Sequence, residues 1–312
     1  MDLAAALPRP LIAIVGPTAA GKSDLSLRLA EAVPCEIVSC DSLQVYRGFD
    51  VGSAKPPLAA RRRVPHHLID VADPAQDFSA ARYAQLARAA LRDIQERGRL
   101  PLVVGGAGLY LRALLEGLFE GPGRDPELRR RLEALAGRRG DLRLHRLLGR
   151  IDPVAAGRIH PRDRLRVVRA IEVFRATGRT LSEQQRSAAA PPLQACLIGL
   201  APERGELRRR VLARTRAMLD GGLLEEVRGL LARGDPAELR PLRAIGYRQA
   251  LAVLDGRLSL EDAERDIVTD TMRYAKRQMT WFRHQVPGVR WHATAGGALA
   301  DALAWLAGSP GR

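Results

Sequence analysis

Lysine is nearly missing from this chain: Lys22, Lys55 and Lys276 are the only three among 50 basic residues, and the rest are arginine. Exchanging one for the other cannot alter net charge, so the formal +15 needs its own account. A polyanionic partner supplies one, because each neutralised phosphate releases counterions and strengthens binding; a solvated basic surface without a partner is the alternative. Cysteine is scarce too. Cys35, Cys40 and Cys196 have no CxxC spacing, which argues against a disulfide framework or a zinc site and suits small core residues in a reducing cytosol. No apolar run reaches the ~20 residues a spanning helix needs, and no basic region precedes the apolar stretch of MDLAAALPRPLIAIV. A cytoplasmic protein with no membrane segment and no signal peptide is expected. No internal repeat or low-complexity tract is apparent. What is present, 46% hydrophobic content over 312 residues, suffices for one large core or a core plus a smaller domain.

The stretch GPTAAGKS, residues Gly16, Pro17, Thr18, Ala19, Ala20, Gly21, Lys22 and Ser23, fits GxxxxGK[ST]. The apolar run LIAIV precedes it as a strand and KSDLSLRLAEAV follows as a helix, the context that the motif requires. Glycines at 16 and 21 permit positive φ, so that successive N–H groups can turn inward around an anion. The helix opening at Lys22 adds its dipole, Lys22 a point charge, and Ser23 a hydroxyl for Mg²⁺. A di- or triphosphate is expected, not ATP in particular.

Apolar runs followed by helical periodicity recur at CEIVSC, HHLIDV and LPLVVGG, with helices from about 78 to 97 and from 109. This is the pattern of an α/β fold, a parallel sheet flanked by helices. It places the phosphate loop, Asp41 and the Gly105–Gly108 turn on the carboxyl rim. From 118 to 190 the pattern becomes short amphipathic helices without a strand candidate, with 17 arginines, no lysine and 9 acids, a net +8. QACLIGL then reads as a returning strand. The domains expected are therefore an α/β core, 1–117 and 191–312, and an inserted basic all-helical domain, 118–190, which either binds nucleic acid or closes as an ordinary lobe over a small substrate.

Three helical segments are expected after the returning strand. In ELRRRVLARTRAML, Leu207, Val211, Thr215 and Met218 share a face, and Arg214 falls within it. An inward arginine demands an anion, either a structural carboxylate or a phosphate on the rim. The last long helix, LEDAERDIVTDTMRYAKRQMTWFRHQ, interleaves Arg273, Lys276, Arg277 and Arg283 with Tyr274, Trp281 and Phe282. That arrangement suits a nucleic-acid backbone, or the aromatics are core anchors. Asp41, in DSLQVYRGFDVGSAKP, ends a strand beside the phosphate loop, where it can serve as a Mg²⁺ ligand or as a general base. His66 and His67 read as structural, and Tyr110 and Arg112 either line a pocket or pack a helix.

GPTAAGKS, DSLQVYRGFDVGSAKP, HHLIDVADP, LVVGGAGLYLRALLEG, RAIGYRQA and AKRQMTWFR occur in this order, and together they closely resemble the tRNA dimethylallyltransferases, which prenylate N6 of the adenosine 3′ of the anticodon. The similarity runs from about 10 to 292. It implies a P-loop nucleotide-kinase-like fold with a helical insertion, dimethylallyl diphosphate as donor, a tRNA anticodon stem-loop as acceptor, Mg²⁺ as cofactor, and a monomer. On this resemblance the phosphates belong to a prenyl diphosphate. Asp41 would accept the N6 proton; Lys22, Arg214, the loop amides and Ser23 through Mg²⁺, with Asp41 as a possible second ligand, would take up the leaving charge.

Carried across residue by residue, Asp41, Ser42, Leu43 and Gln44 match the substrate-contacting DSxQ, Arg129 an insertion-domain contact, and Leu165, Arg166, Val167, Val168 and Arg169 a second tRNA-contact segment. Arg243, Ala244, Ile245, Gly246, Tyr247 and Arg248 match a third. Two positions depart. Ala107 replaces the threonine of GGTGLY, and Leu165 replaces a glutamine. A lost neutral hydrogen bond costs about 0.5–1.5 kcal/mol, so a slower or less selective enzyme is implied, not a dead one. Nothing after His292 resembles the zinc finger of the eukaryotic relatives. The competing readings are an ATP-dependent P-loop small-molecule kinase, an isopentenyltransferase acting on free adenine nucleotides, and a non-catalytic tRNA-binding protein.

Overall fold

A computed structural model describes residues 11–308 apart from 120, 124, 188–192, 235 and 238. Residues 1–10, 188–192 and 309–312 of the expected domains thus lie outside the described residues. The chain forms two compact units, Glu116–Pro192 and a second composed of Ala5–Leu115 with Leu193–Arg312.

The second unit is built on six parallel strands. In its first half β1 (Ile12–Val15), α1 (Lys22–Ala32), β2 (Cys35–Cys40), α2 (Leu58–Arg63), β3 (His66–His67), α3 (Ala80–Glu96), β4 (Leu100–Gly105) and α4 (Gly108–Glu116) follow in order. The other unit then contributes α5 (Pro126–Arg139), α6 (Asp141–Ile151), α7 (Pro153–Arg158), α8 (Arg164–Thr177) and α9 (Leu181–Ser187). The chain returns as β5 (Cys196–Leu200), α10 (Arg204–Asp220), α11 (Leu223–Ala232), a 3₁₀ turn (Arg240–Arg243), α12 (Tyr247–Leu254), α13 (Leu260–Gln285), β6 (Arg290–His292) and α14 (Ala295–Gly308).

The strand order is β3-β2-β4-β1-β5-β6, with every pair parallel. β1 and β2 are buried along their whole length, as strands covered on both faces must be; β1 accordingly reads as a continuous apolar run, whereas β2 also buries Glu36 and Ser39. Ile12, Ile14, Ile37, Leu102 and Ile198 pack with Leu25 and Leu29 of α1 and Ala298 and Ala302 of α14. Each large side chain so buried contributes about 1.5–3 kcal/mol. Cys35, Cys40 and Cys196 are free thiols in this interior.

Two expectations are corrected. The strand in HHLIDV is confined to His66–His67, because Leu68 and Asp70 take left-handed φ values of 60° and 59°. Asp70 is held there by Lys55 at 2.6 Å and Arg61 at 3.0 Å. The region after β5 holds more than three helical segments, and it adds α14 and a sixth strand, RWH, too short to show a period. His66 and His67 are structural: the first bonds Val64 O and the second the buried Glu36 carboxylate.

The helical unit has its own core of Leu132, Leu144, Leu148, Val167, Val168 and Ile171. Three of its helices begin on aspartate caps: Asp125, Asp152 and Asp163 accept backbone N–H bonds at the starts of α5, α7 and α8.

Candidate functional site

The phosphate loop leaves the sheet at β1, between β4 and β5. Gly16 takes φ 139°, and a Cβ on it would stand 2.4 Å from Leu200 O at the end of β5, so only glycine lets the loop start here. Gly21, at φ 96°, caps α1, and Ala20 is buried beneath the loop. The Lys22 ammonium folds back to donate to Gly16 O (3.1 Å) and Pro17 O (2.7 Å).

Above the loop lies a pocket of about 440 Å³, lined entirely by the α/β unit. Thr18, Ala19, Lys22 and Ser23 form its floor; Asp41, Ser42, Leu43 and Gln44 and the Gly105–Gly106 turn form one side. Arg214 of α10, residues 243–246 and 248, and Tyr274, Arg277 and Gln278 of α13 close it. Six cations, Lys22, Arg214, Arg240, Arg243, Arg248 and Arg277, line this pocket against Asp41 as the sole carboxylate among the described lining residues. Such a field suits a polyanion.

Asp41 is fixed by an Asx turn, with Oδ1 accepting from the N–H groups of Leu43 (2.8 Å) and Gln44 (3.3 Å). Oδ2 makes no hydrogen bond among the described residues and is available to a substrate. Arg214 donates to Thr18 Oγ1 (3.2 Å) and Ser53 O (3.4 Å) and has no ion pair among the described residues. The structural-carboxylate alternative is thereby removed. Burial lowers the Arg214 pKa, opposed by the Asp41 charge. Burial also pulls Lys22 down to about 8, with Asp41 opposing and Arg214 adding to the effect. Two desolvated cations over one loop constitute an anion seat whose charge is unpaid until the anion arrives.

Lys22 carries a pH prediction. Its folded pKa is below the unfolded value, so the cost of holding it charged is present below pH about 8 and is relieved as pH rises towards 10.5. A bound diphosphate favours the ammonium, so binding takes up a proton above pH about 8. Pyrophosphate affinity, measured by calorimetry from about pH 7.5 to 9.5, should fall by up to roughly tenfold per pH unit above 8 relative to Lys22→Arg, whose charge does not titrate there. Equal slopes in the two proteins would show that Lys22 is charged throughout.

The remaining expected residues divide. Gln44 lines the pocket, but its amide is occupied by Ser39 Oγ (2.9 Å) and the carbonyls of Ser53 and Ala54 (both 3.4 Å), so it braces the loop. Ala107 is not among the residues that line the pocket; it donates its N–H to Cys40 O (3.1 Å). Tyr110 lines the pocket and stacks on Tyr83 at 4.5 Å, whereas Arg112 bonds Gln285 away from it. Trp281 covers Gly108 and Phe282 is buried, so these aromatics are packing residues.

Tyr247 is corrected: its side chain is 0% exposed and its hydroxyl donates to Glu226 (2.6 Å), which makes it a packing residue. Glu226 in turn accepts the N–H groups of Asp50, Val51 and Gly52, which sets the Ser53 carbonyl that Arg214 meets.

In the helical unit Val167 and Val168 are likewise corrected, being core residues. Arg129 donates to both oxygens of Glu172 (2.8 and 2.9 Å), and Arg169 donates to Glu172 (2.9 Å) and Pro122 O (2.8 Å). Burial alone would raise the Glu172 carboxyl, but these donors and the Asp125 N–H outweigh it and hold it at about 2. Arg166 and Leu165 are exposed.

Gln278, Glu226, Ser53 and Arg240 belong to the site or brace it without a sequence signal of their own. A polar residue at a helical position gives no local sign that its partner is a distant loop.

For Mg²⁺, the described residues contain no cluster of three or more carboxylate, histidine or cysteine ligands. The exposed Ser23 and the single Asp41 on one pocket suit an ion held mainly by substrate phosphates.

A family model described as IPP transferase matches residues 44–285, and one described as isopentenyl transferase matches 10–70. A tRNA dimethylallyltransferase of Geobacter metallireducens is 51% identical over 275 residues, 88% of this chain and 89% of that one. That of Anaeromyxobacter dehalogenans is 51% identical over 285 residues, 91% and 94% of the two chains. Among solved structures, the full-length tRNA isopentenylpyrophosphate transferase of Bacillus halodurans superposes with TM-score 0.70 at 39% identity over 96% of each chain. A eukaryotic dimethylallyltransferase acting on tRNA gives 0.79 at 26% identity, over 97% of this chain and 80% of that one.

Proposed function

This chain belongs to the IPP transferase family of tRNA dimethylallyltransferases, and from that membership we propose that its pocket moves a dimethylallyl group from dimethylallyl diphosphate to N6 of the adenosine 3′ of a tRNA anticodon. The observation that carries the residue assignment is Asp41, the sole carboxylate among the described lining residues, in one pocket with six cations over a phosphate loop.

The adenine amine is a weak nucleophile because its lone pair is delocalised into the ring. As N6 attacks the allylic carbon, the carbon–oxygen bond breaks, the diphosphate leaves with the electron pair, and the N6 proton passes to Asp41 Oδ2. Lys22, Arg214 and the loop amides stabilise the leaving charge, each on the order of 3 kcal/mol if it acts as an oxyanion-hole donor does. Mg²⁺, held by Ser23 and the diphosphate, would neutralise part of that charge. An anticodon-loop base is already partly unstacked, so extruding it costs little. The protein works as a cytoplasmic monomer in this reading.

The test is incubation with unmodified tRNA, Mg²⁺ and dimethylallyl diphosphate, followed by digestion and mass analysis. A five-carbon increment on adenosine is expected. Transfer of the ATP γ-phosphate to a small molecule, with tRNA unchanged, would replace this reading by a kinase.

The basic helical unit contributes the tRNA affinity, and its arginines should behave unequally. Arg166, 71% exposed, should act as a phosphate contact: Arg166→Ala should reduce the slope of log affinity against log salt by roughly 0.7–0.9. Arg129→Ala should instead destabilise the unit by on the order of 2 kcal/mol, since Glu172 keeps Arg169 but loses a bidentate partner. Filter binding at several salt concentrations and thermal unfolding separate the two effects.

A further inference from the structure

We infer that Gln278 is a positioning residue of the transfer, setting the distance between the diphosphate seat and the proton acceptor; this rests on the function proposed above. Gln278 lies on α13 and is 7% exposed. Its Oε1 accepts the Thr18 N–H at 2.9 Å, and its Nε2 donates to Gly106 O at 2.9 Å. One partner is an obligate donor and the other an obligate acceptor, so a neutral amide satisfies both where a carboxylate or an ammonium cannot.

The two bonds fall on different loops. Thr18 belongs to the crown of the phosphate loop, and its hydroxyl is one of the two groups to which Arg214 donates. Gly106 begins the turn after β4, and the next residue, Ala107, donates its N–H to Cys40 O at the end of β2, immediately before Asp41. A path of three hydrogen bonds joined by peptide links therefore runs from the diphosphate seat through Gln278, Gly106, Ala107 and Cys40 to the residue carrying the carboxylate. The fit is close: a Cβ at position 106 would stand 2.3 Å from Gln278 Nε2 and 3.3 Å from Gly16 O, so the glycine keeps the turn against both the clamp and the loop. Tyr274 and Arg277 on the same helix face the pocket as well, so Gln278 also fixes α13 as its wall.

Donor and acceptor must be held in a near-attack geometry, and a small misplacement costs rate without costing binding. Gln278→Met keeps the side chain's length and removes both bonds; Gln278→Glu keeps the bond to Thr18 and sets a carboxylate against Gly106 O. Hydrogen exchange followed by mass spectrometry should show peptides covering 16–21 and 105–108 exchanging faster together in Gln278→Met, by roughly fivefold or more. At saturating tRNA and donor, kcat should fall about 10- to 100-fold in both variants, while the dissociation constants of tRNA and pyrophosphate stay within about threefold of wild type.

Loosening of one loop alone, an unchanged kcat, or a loss of pyrophosphate affinity as large as the loss of kcat would each overturn the assignment. The exchange readout does not depend on chemistry. Wild type that yields no prenylated adenosine thus counts against the proposed function, while the coupling of the two loops is still decided.

Discussion

Asp41→Asn should lower turnover by roughly 10²- to 10⁴-fold while leaving tRNA affinity within a few-fold of wild type. The asparagine carbonyl can still accept from the N–H groups of Leu43 and Gln44, so the Asx turn survives and the loop keeps its shape. What disappears is the negative oxygen that would take the N6 proton. The pocket also becomes more cationic, which should tighten pyrophosphate, so product release and chemistry must be separated by single-turnover measurement. A single-turnover rate close to wild type would remove Asp41 from proton transfer and leave it a structural cap.

Arg214→Met should cost a further large factor, about 10²- to 10³-fold in kcat, with the opposite effect on stability. Among the described residues this guanidinium has no ion pair, only the Thr18 hydroxyl and the Ser53 carbonyl, and burial lowers its pKa. A desolvated cation with no ion pair, offset only in part by the Asp41 charge, is a cost borne by the resting protein, so an apolar replacement of similar length should raise the melting temperature, by the equivalent of about 1 kcal/mol. The leaving diphosphate then loses a preorganised charge, and the rate falls with it. Differential scanning calorimetry beside steady-state kinetics tests the pair of effects together; a destabilised variant with full activity would contradict both halves.

The same residue type meets different fates in this protein. Arg129 and Arg169 resemble Arg214 as candidates in the sequence, yet the donors of the first two are engaged by Glu172, whereas those of Arg214 meet only neutral oxygens. Likewise RAIGYR is one contiguous stretch, but its neighbours of Tyr247 line the pocket while Tyr247 packs against Phe49, with ring centroids 4.8 Å apart, and anchors Glu226. A contact segment carried over as a block therefore splits once the helix phase is known, because successive residues of α12 point in different directions.

By itself the sequence determined the phosphate loop, its strand and helix, the buried parallel strands, and an aspartate at a strand end on the same rim. Each follows from local rules: glycine where φ is positive, apolar runs where both faces are covered, and a rim defined by strand polarity. Only the tertiary structure decided which arginines are free to meet an anion, which aromatic residues are core, and that one glutamine ties the phosphate loop to the turn beside Asp41. Those outcomes depend on partners as far as 260 residues away in the chain, and hydrogen-bond donors are satisfied by proximity in space, for which a one-dimensional pattern holds no record.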